Sequence, residues 1–547
     1  MKKRGIAMFL SMVMGLSAVL SGCGGEEDTS KGKDSEDMGT VKSGSAADEV
    51  DENAESAKDT LTIRIPVEPG SLDYHYDTTY AMYELRDWVT NGLLDQERQE
   101  DGNIISVTSE ESLAESYEFD EDNNGITFKL RQGVKFHNGA EMTSADVKFS
   151  CDLYSDIPEF SFVDFENIET ADDYTIHIPF KEKNANALYM LGIELPIYCE
   201  SYYDEMGGEE NDAEFYSTKI VGTGPYKVNE WVSGDYITFV RNDDYFAGTP
   251  KIANITCRII YENSVALMEL ESGGIDVMIE PSWNEVKAVT SGTYGDTLTV
   301  WKDNGVSAAQ LGFNMGSGKV QDIRVRQAIC YAIDKATIAA GAYEGIGEDL
   351  YGIVSKSYEN VKDYSDSWPY EYNPEKAKEL LKEAGYEDGL DLIMILGGDT
   401  NRETAAEIMK NQLSEVGINM EIQSMDGATV VAKMANETDT WDLYIRNWGR
   451  PANPYVYFTS NLQESVHCDL DSKNEQMVLE ANAFKSEMDE AARKELWGNF
   501  QDKYLTEYLY SYPLVQIMDY TILTSNLKGM QKVSFQTFKL KDAYFVE

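Results

Sequence analysis

The 547-residue chain has few of the residues from which catalytic and metal sites are built. It contains four histidines and six cysteines, without the CxxC, HExxH or Cys/His groupings that hold zinc. The GxSxG motif of hydrolases and the GxxxxGK motif of nucleotide-binding loops are also missing. We therefore expect a protein that is not an enzyme and that has no metal site and no cofactor.

Basic residues are scarce as well. Lys and Arg number 46 against 97 Asp and Glu, which gives a formal net charge of −51. A surface this acidic repels phosphate backbones and anionic bilayers. We expect no nucleic-acid partner, and any attachment to a membrane must depend on something other than charge.

The chain has one long uncharged run, and it lies at the N-terminus. Lys2, Lys3 and Arg4 precede residues 5–20, which are too short for a comfortable membrane span and have the size of a signal peptide's apolar region. Leu20-Ser21-Gly22-Cys23 then looks like a bacterial lipobox. This resemblance implies that residues 1–22 are a lipoprotein signal peptide and that Cys23 is lipidated.

A diacylated Cys23 would anchor the protein stably to the outer face of the cell membrane, of the Gram-positive type rather than the periplasmic type. The alternative is an ordinary cleaved signal peptide followed by an incidental cysteine. The other five cysteines are widely spaced, so we interpret them as small buried apolar residues. A disulfide among them cannot be assigned: Cys151, Cys199, Cys257, Cys330 and Cys468.

Residues 24–59 contain twelve acidic and four basic side chains and no aromatic residue. Such a composition cannot bury enough apolar surface to order itself. We therefore predict a flexible acidic linker over 23–59 and a folded body that begins near Thr60.

Local patterns in the body alternate between strand and helix. Polar and apolar residues alternate over 60–65 and 125–131, which is typical of strands, and residues 80–94 show helical spacing. Thr143 with Asp146 three residues later predicts a helix start, as does Asn373 followed by proline. Strands that alternate with helices favour an α/β fold.

Five sequence blocks carry a specific resemblance. Residues 113–150, 222–252, 313–338, 372–386 and 441–454 are similar, in this order, to the family 5 extracellular solute-binding proteins, the oligopeptide- and dipeptide-binding group. The resemblance covers essentially all of the chain after the linker.

This resemblance implies a two-lobed periplasmic-binding-protein-like α/β fold of type II, with an accessory domain, a hinge and a ligand cleft between the lobes. Lobe I would comprise residues 60–94, 220–305 and 510–547. The accessory domain, 95–219, would be inserted into it, and lobe II would be 306–509. The hinge would lie at the two crossovers near 305 and 510.

The resemblance also implies a function and a set of ligand contacts. A monomer would capture a peptide or peptide-sized solute and deliver it to an ABC permease and its ATPase. A glycoside or another non-peptide solute, or a role as a peptide sensor or pheromone receptor, stay open as alternatives. The predicted ligand-binding residues are Thr78, Thr79, Tyr80, Glu280, Trp283, Asn447, Trp448, Gly449 and Arg450, with Ser282 beside them.

One departure from the family pattern concerns the ligand's end. Peptide-binding members commonly carry an Asp shortly after the Trp-Gly pair, which pairs with the ligand's ammonium group. Here Pro451 occupies that position and Arg450 precedes it. We expect that lobe II does not hold a free peptide N-terminus by this carboxylate. The site would then tolerate a neutral or blocked end, or prefer a carboxylate or sugar hydroxyls that Arg450 could meet, unless another acid such as Glu280 or Asp426 replaces the missing Asp.

Overall fold

A computed structural model describes residues 41–43, 51, 54–77, 79–98, 104–358, 360–448, 475–533 and 537–547. All of them belong to one compact unit, Gly39–Glu547.

The strands are β1 (Val41–Ser43), β2 (Thr60–Ile65), β3 (Asp95–Arg98), β4 (Ile104–Val107), β5 (Ala114–Phe119), β6 (Gly125–Leu130), β7 (Glu169–Asp172), β8 (Thr175–Pro179), β9 (Tyr226–Val232), β10 (Tyr236–Arg241), β11 (Asn254–Ile259), β12 (Val277–Ile279), β13 (Leu298–Phe313), β14 (Gly347–Asp349), β15 (Leu390–Gly397), β16 (Ile418–Met425), β17 (Leu443–Trp448), β18 (Ser511–Thr524), β19 (Leu527–Lys528), β20 (Gln531–Lys532), β21 (Phe538–Lys539) and β22 (Tyr544–Phe545).

The helices are α1 (Tyr80–Val89), α2 (Ser144–Leu153), α3 (Ala187–Tyr189), α4 (Glu200–Glu205), α5 (Asp212–Phe215), α6 (Asn263–Ser272), α7 (Trp283–Thr290), α8 (Ile323–Ala332), α9 (Lys335–Ala342), α10 (Pro374–Glu383), α11 (Thr400–Ser414), α12 (Gly427–Asn436), α13 (Glu475–Ser486) and α14 (Glu490–Lys503).

One large sheet runs through the molecule in the order β16-β15-β17-β13-β18-β12-β2-β11-β10-β9. Its two central strands, β13 and β18, are 16 and 14 residues long and pair antiparallel along most of their length. On one side of this ribbon, β17 pairs with β13, and β15 and β16 lie beyond β17. On the other side, β12 pairs with β18, and β2, β11, β10 and β9 lie beyond β12. We call the side with β2 lobe I and the side with β15–β17 lobe II.

The buried apolar residues form separate clusters on the two sides. The lobe II cluster begins at Val306 on β13 and extends to Val515 on β18, whereas Trp301 and Met518 belong to lobe I clusters. The change of core therefore falls between Trp301 and Val306 and between Val515 and Met518. The division into lobes at 305 and 510 stays a prediction, and the second change of core lies a few residues beyond 510.

The segment predicted as an accessory domain carries its own sheet, in the order β5-β6-β8-β7. Its apolar residues, such as Phe128 and Ile176, lie in the same cluster as Leu61 and Ile63 of β2. This part of the chain thus shares a continuous core with lobe I, so we expect the two to move together.

Several local predictions are confirmed. β2 and β6 occupy the alternating segments, and helix α2 starts where Asp146 accepts hydrogen bonds from the backbone N–H and the hydroxyl of Thr143, at 2.9 and 3.1 Å. Asn373 caps α10 by accepting from the N–H of Lys376, with proline at the first helical position. These signals depend on neighbours within four residues, so the sequence alone reveals them.

The segment before Thr60 differs from the predicted linker. β1 pairs in parallel with the lobe I half of β13, and the N–H of Ala57 donates to the carbonyl of Phe545. Lys58 forms an ion pair with the buried carboxylate of Asp276 at 2.6 Å. Parts of the acidic segment therefore dock on the body, because backbone pairing and a single ion pair need no apolar side chains.

Candidate functional site

The carboxyl ends of the parallel strands point at each other across the β13–β18 ribbon. In lobe I, β12 runs toward the crossing, since Val277 pairs with Leu523 and Ile279 pairs with Thr521. β2 and β11 run parallel to it. In lobe II, β17 approaches from the other side, because its last residue, Trp448, lies opposite Ala308.

β15 and β16 run parallel to β17, so both sets of strands end at the same place. Open α/β sheets bind ligands outside the carboxyl ends of their strands. The space at the crossing is therefore the candidate site.

The ribbon is interrupted where the lobes meet. Pairing passes from Asn304–Met518 directly to Ala308–Gln516, so that residues 305–307 bulge from β13. The buried amide of Gln516 donates to the carbonyls of Gly305 and Ser307, at 2.6 and 3.3 Å. A bulge bends and twists the strand that carries it, so the ribbon can bend at this point.

The loop between β2 and α1 forms part of the lobe I wall. Asp77 closes it, because its carboxylate accepts from the backbone N–H of Gly70 and of Thr79, both at 2.7 Å. The Thr79 hydroxyl caps α1 by accepting from the N–H of Met82. The sequence-predicted Thr79 thus has a structural role at the mouth of the site.

A buried arginine connects the loops that follow the other two strands. Arg64 donates to the carbonyls of Ile260 and Ile279 at 2.8 Å, and to those of Tyr261 and Glu280 at 3.2 and 3.4 Å. Glu280 is exposed and has a left-handed backbone with φ of +49°. The hydrogen bonds from Arg64 hold this costly conformation, which is of a kind that clusters at ligand-binding and active sites.

Below this wall lies Glu84 of α1, which is 1% exposed and has no hydrogen-bond partner on either oxygen. Burial raises the pKa of Glu84 well above its usual value, and the charge of Glu280 raises it further. The Glu280 carboxylate is therefore near α1, at the side of lobe I that faces the crossing.

Trp283 is largely covered at the junction of the lobes. Its indole packs so closely on Gly345, whose φ is +71°, that a Cβ on that glycine would lie 1.9 Å from the ring. Tyr520 lies beside it, with ring centroids 6.1 Å apart, and donates to the Gly345 carbonyl at 2.9 Å.

The lobe II wall carries polar groups at the end of each strand. Asn447 of β17 accepts a hydrogen bond from the Tyr343 hydroxyl at 3.2 Å. After β15, Arg402 pairs with Asp399, the cap of α11. After β16, Asp426 caps α12 by accepting from the N–H and the hydroxyl of Thr429.

The family model for bacterial extracellular solute-binding proteins, family 5 (middle part), matches residues 109–467. The chain belongs to this family. It is a solute-binding protein and not an enzyme, since the family is one of binding proteins.

Relatives extend the match over most of the chain. The oligopeptide-binding protein AppA of Bacillus subtilis is 27% identical over 482 residues, which cover 84% of this chain and 83% of AppA. The structure of AppA with a nonapeptide superposes with a TM-score of 0.74 at 23% identity, over 90% of this chain and 100% of that one. The substrate-binding protein CtaP of Listeria monocytogenes gives 0.77 at 20% identity, over 90% and 100%. The predicted two-lobed α/β fold is thereby confirmed.

Among the predicted ligand contacts of this family 5 protein, Thr78, Gly449 and Arg450 lie outside the described residues. Tyr80 begins α1 and Trp448 ends β17, and only their backbones are described. Glu280 directly follows β12 and Asn447 is near the end of β17, two strands that run toward the crossing, whereas Thr79 caps α1. Their contact with a ligand stays a prediction.

Sequence reasoning missed three residues of this solute-binding protein near the candidate site. Tyr261, two residues after β11, is 62% exposed, and Arg402 and Tyr343 lie on the lobe II side. Position shortly after a buried parallel strand was the available signal for Tyr261. Arg402 lies within α11 and Tyr343 follows α9, so no local signal pointed to them.

Metal ligation finds no support in the described residues, where no group of three or more His, Cys, Asp or Glu could hold an ion. Cys151, Cys199, Cys257 and Cys330 are free and buried, as expected for small apolar residues, and Cys468 lies outside the described residues. Among the described helices, none is both long and apolar enough to cross a membrane.

Proposed function

We propose that this protein captures a peptide or peptide-sized solute between its lobes and delivers it to an ABC permease. The observation that carries the proposal is the convergence of two sets of parallel strands on a bulged two-stranded crossing. Two walls joined by such a ribbon can close on a ligand by bending it. Attachment through a lipidated Cys23 would keep the loaded protein at the membrane.

A peptide is the ligand class that the walls suit best. They offer hydrogen-bond donors and acceptors for the main chain of a peptide, the Asn447 amide among them. They also offer aromatic residues such as Tyr261, which combine an apolar body with a polar group. The names of relatives support this class: AppA is called oligopeptide-binding, and GsiB of Escherichia coli is called glutathione-binding.

We further propose that the ligand's N-terminus is not anchored by lobe II. Pro451 cannot accept a charge-assisted hydrogen bond through its side chain, and Arg450 would repel an ammonium. Asp426, considered as a substitute, is engaged as the cap of α12. Glu280, an exposed acid that directly follows β12 in lobe I, is the substitute we propose for this role.

Calorimetry on one nonapeptide with a free and with an acetylated N-terminus tests this point. Without a carboxylate partner in lobe II, we expect acetylation to change the dissociation constant by less than about tenfold. A loss of about 100-fold, or about 2.7 kcal/mol, that persists in Glu280→Gln would contradict the proposal. Repeating the pair in Glu280→Gln then shows whether lobe I supplies the acid.

The test of the ligand class is mass spectrometry of small molecules that co-purify with residues 24–547. We expect peptides, whose re-addition should reduce the radius of gyration in X-ray scattering and raise the melting temperature by mass action. Recovery of a glycoside would select the non-peptide alternative. An authentic ligand that leaves the shape unchanged, or that emerges as a reaction product, would overturn the capture mechanism.

A further inference from the structure

His75 lies in the β2–α1 loop, between the strand that ends at the site and the helix capped by Thr79. Its ring is half-buried against the accessory part of lobe I. The imidazole stacks on Tyr216, with centroids 5.8 Å apart and planes 20° from parallel, and meets the edge of Tyr154 at 4.8 Å. The ring therefore has a fixed orientation, and the partners of its two nitrogens are defined.

Both ring nitrogens face acceptors. Nδ1 lies 2.5 Å from a carboxylate oxygen of Asp73, and Nε2 lies 3.1 Å from the carbonyl of Leu153 at the end of α2. A second carboxylate, that of Asp156, lies 3.5 Å from Nε2. A neutral imidazole has only one N–H, so one of these contacts would then bring a lone pair against an acceptor. Only the imidazolium satisfies both.

Asp73 is the centre of the loop. Its second oxygen accepts from the hydroxyls of Tyr154, at 2.8 Å, and Tyr198. Its backbone carbonyl accepts from the N–H groups of Tyr76 and Asp77. Since Asp77 in turn ties Gly70 to Thr79, the position of Asp73 is transmitted to the start of α1.

The groups that face His75 all favour its charged form or are neutral. They are Asp73 in the loop, Asp156 and Tyr154 after α2, and Tyr216 after α5. Burial acts to lower the pKa of His75, but the hydrogen bond and charge of Asp73, with the charge of Asp156, raise it above the usual value. Burial likewise opposes ionisation of Asp73, and the contacts with His75 and Tyr198 lower its pKa nonetheless.

We propose that protonated His75 is a latch that fixes the β2–α1 loop to the end of α2 and so positions the lobe I wall for ligand. It is a positioning residue, because it acts through Asp73 and Asp77 and not by contact with the solute. The latch is complete when His75 is charged and Asp73 is ionised. The latch opens when pH rises through the raised pKa of His75, because the imidazole then loses its charge. It also weakens when pH falls through the lowered pKa of Asp73, because the carboxylate is then protonated and the ion pair is lost.

This inference rests on the proposed ligand site, but its primary test needs no ligand. The protein has four histidines, so long-range nitrogen–proton NMR spectra can be assigned by single variants, with His75→Gln identifying the signal. At about pH 6 we expect both nitrogens of His75 to carry protons, and we expect its titration midpoint to lie above that of a free histidine. A single protonated nitrogen at this pH, or a midpoint at or below the free value, would overturn the latch.

Hydrogen exchange measures the consequence for the loop. After correction for intrinsic rates, protection of amides in residues 70–79 should fall about tenfold between about pH 6 and about pH 8.5, as expected for losing one charge-assisted hydrogen bond. His75→Gln should be less protected at about pH 6 and should lose this pH dependence. Equal protection of the unmodified protein at both pH values would overturn the proposal.

His177→Gln is the matched control. His177 also meets a carboxylate, that of Asp120 at 3.1 Å, but only Nε2 is engaged, and it lies on β8 away from the loop. Its replacement should leave loop protection and its pH dependence unchanged. A nonapeptide that binds should show a parallel loss of affinity with pH. If no peptide binds while the ring and exchange results hold, the proposed ligand class fails and the latch stands.

Discussion

At the scale of single residues, charged groups are concentrated where the lobes join. Lys532, whose side chain is 2% exposed, pairs with Asp519 of β18 and lies 3.9 Å from Asp303 of β13. Arg98 pairs with the other oxygen of Asp303 at 3.2 Å. The two aspartates face each other across the ribbon, so Lys532 offsets a repulsion that both crossing strands would otherwise carry.

Lys532→Met should therefore lower the free energy of unfolding by about 3–5 kcal/mol, because it leaves the buried carboxylate of Asp519 without a cation, with Arg98 alone to offset the charge of Asp303. Urea unfolding monitored by circular dichroism measures the change. Lys382→Met, which removes a lysine from a solvent-exposed pair with Glu387, is the control and should have little effect. Similar losses of unfolding free energy in both variants would show that the burial of Lys532 does not determine its contribution to stability.

Lys335 is a second buried lysine, enclosed by aromatic rings in lobe II. Its Nζ donates to the carbonyl of Leu350 and lies 3.7 and 4.3 Å from the ring centroids of Trp368 and Tyr351. Burial lowers the pKa of Lys335 to about 7. The folded protein therefore releases this proton at a lower pH than the unfolded chain, whose lysines titrate near 10.5.

Between these two pH values the unfolded state binds more protons, so Lys335 makes stability rise with pH by about 1.4 kcal/mol per unit. Lys335→Met should remove this contribution, and the difference in unfolding free energy between wild type and variant should change with that slope from about pH 7.5 to about pH 9. The exposed Lys356→Met should show no such change. A difference that stays constant with pH would mean that Lys335 keeps its proton when buried.

At the scale of elements, the β13–β18 ribbon is the feature on which the two-lobed arrangement depends. Its bulge is held by side chains and not by ladder pairing: Gln516 reaches Gly305 and Ser307, and the Ser355 hydroxyl also donates to Gly305 at 2.7 Å. Gln516 accepts in turn from the N–H of Lys356 at 3.1 Å. A ribbon secured in this way can bend without breaking a continuous ladder.

Gln516→Leu keeps the volume and removes these hydrogen bonds. We expect a loss of about 1–3 kcal/mol in the free energy of unfolding, since buried backbone groups lose partners. Amides near residues 304–308 should also exchange faster. The control is Gln423→Leu, at a position of β16 where the amide donates only to Glu421 on the surface. Unchanged exchange at the bulge in Gln516→Leu would contradict the role given to this side chain.

At the scale of the whole molecule, the acidic charge and the N-terminal motif bear on membrane attachment. The net charge of −51 disfavours contact with anionic surfaces, so any attachment must depend on something other than charge. Leu20-Ser21-Gly22-Cys23, outside the described residues, is the motif from which the anchor is predicted.

Cys23→Ala should block lipidation and release the protein from the membrane fraction of cells, as judged by immunoblotting after centrifugation. Ser30→Ala, seven residues further along, should leave the protein with the membranes. If the cysteine variant sediments with membranes as fully as wild type, the predicted anchor is wrong.

The sequence by itself determined the family, the α/β class and the starts of helices such as α2 and α10. These features depend on side chains within a few positions of each other or on motifs read in order. The strand before Glu280 could also be predicted from the sequence, whereas the contact of Thr79, Glu280 and Asn447 with a ligand stays a prediction.

The tertiary structure decided which strand ends meet and what holds them. His75 reaches Leu153 across 78 residues of sequence, Tyr343 reaches Asn447 across 104, and Arg64 reaches Tyr261 across 197. Each contact follows from strand register and from the packing of loops against a shared core. Local periodicity in the sequence encodes neither the register nor the packing. The bulge at residues 305–307 has the same origin, since it is defined by the pairing of β13 with β18, two strands far apart in the sequence.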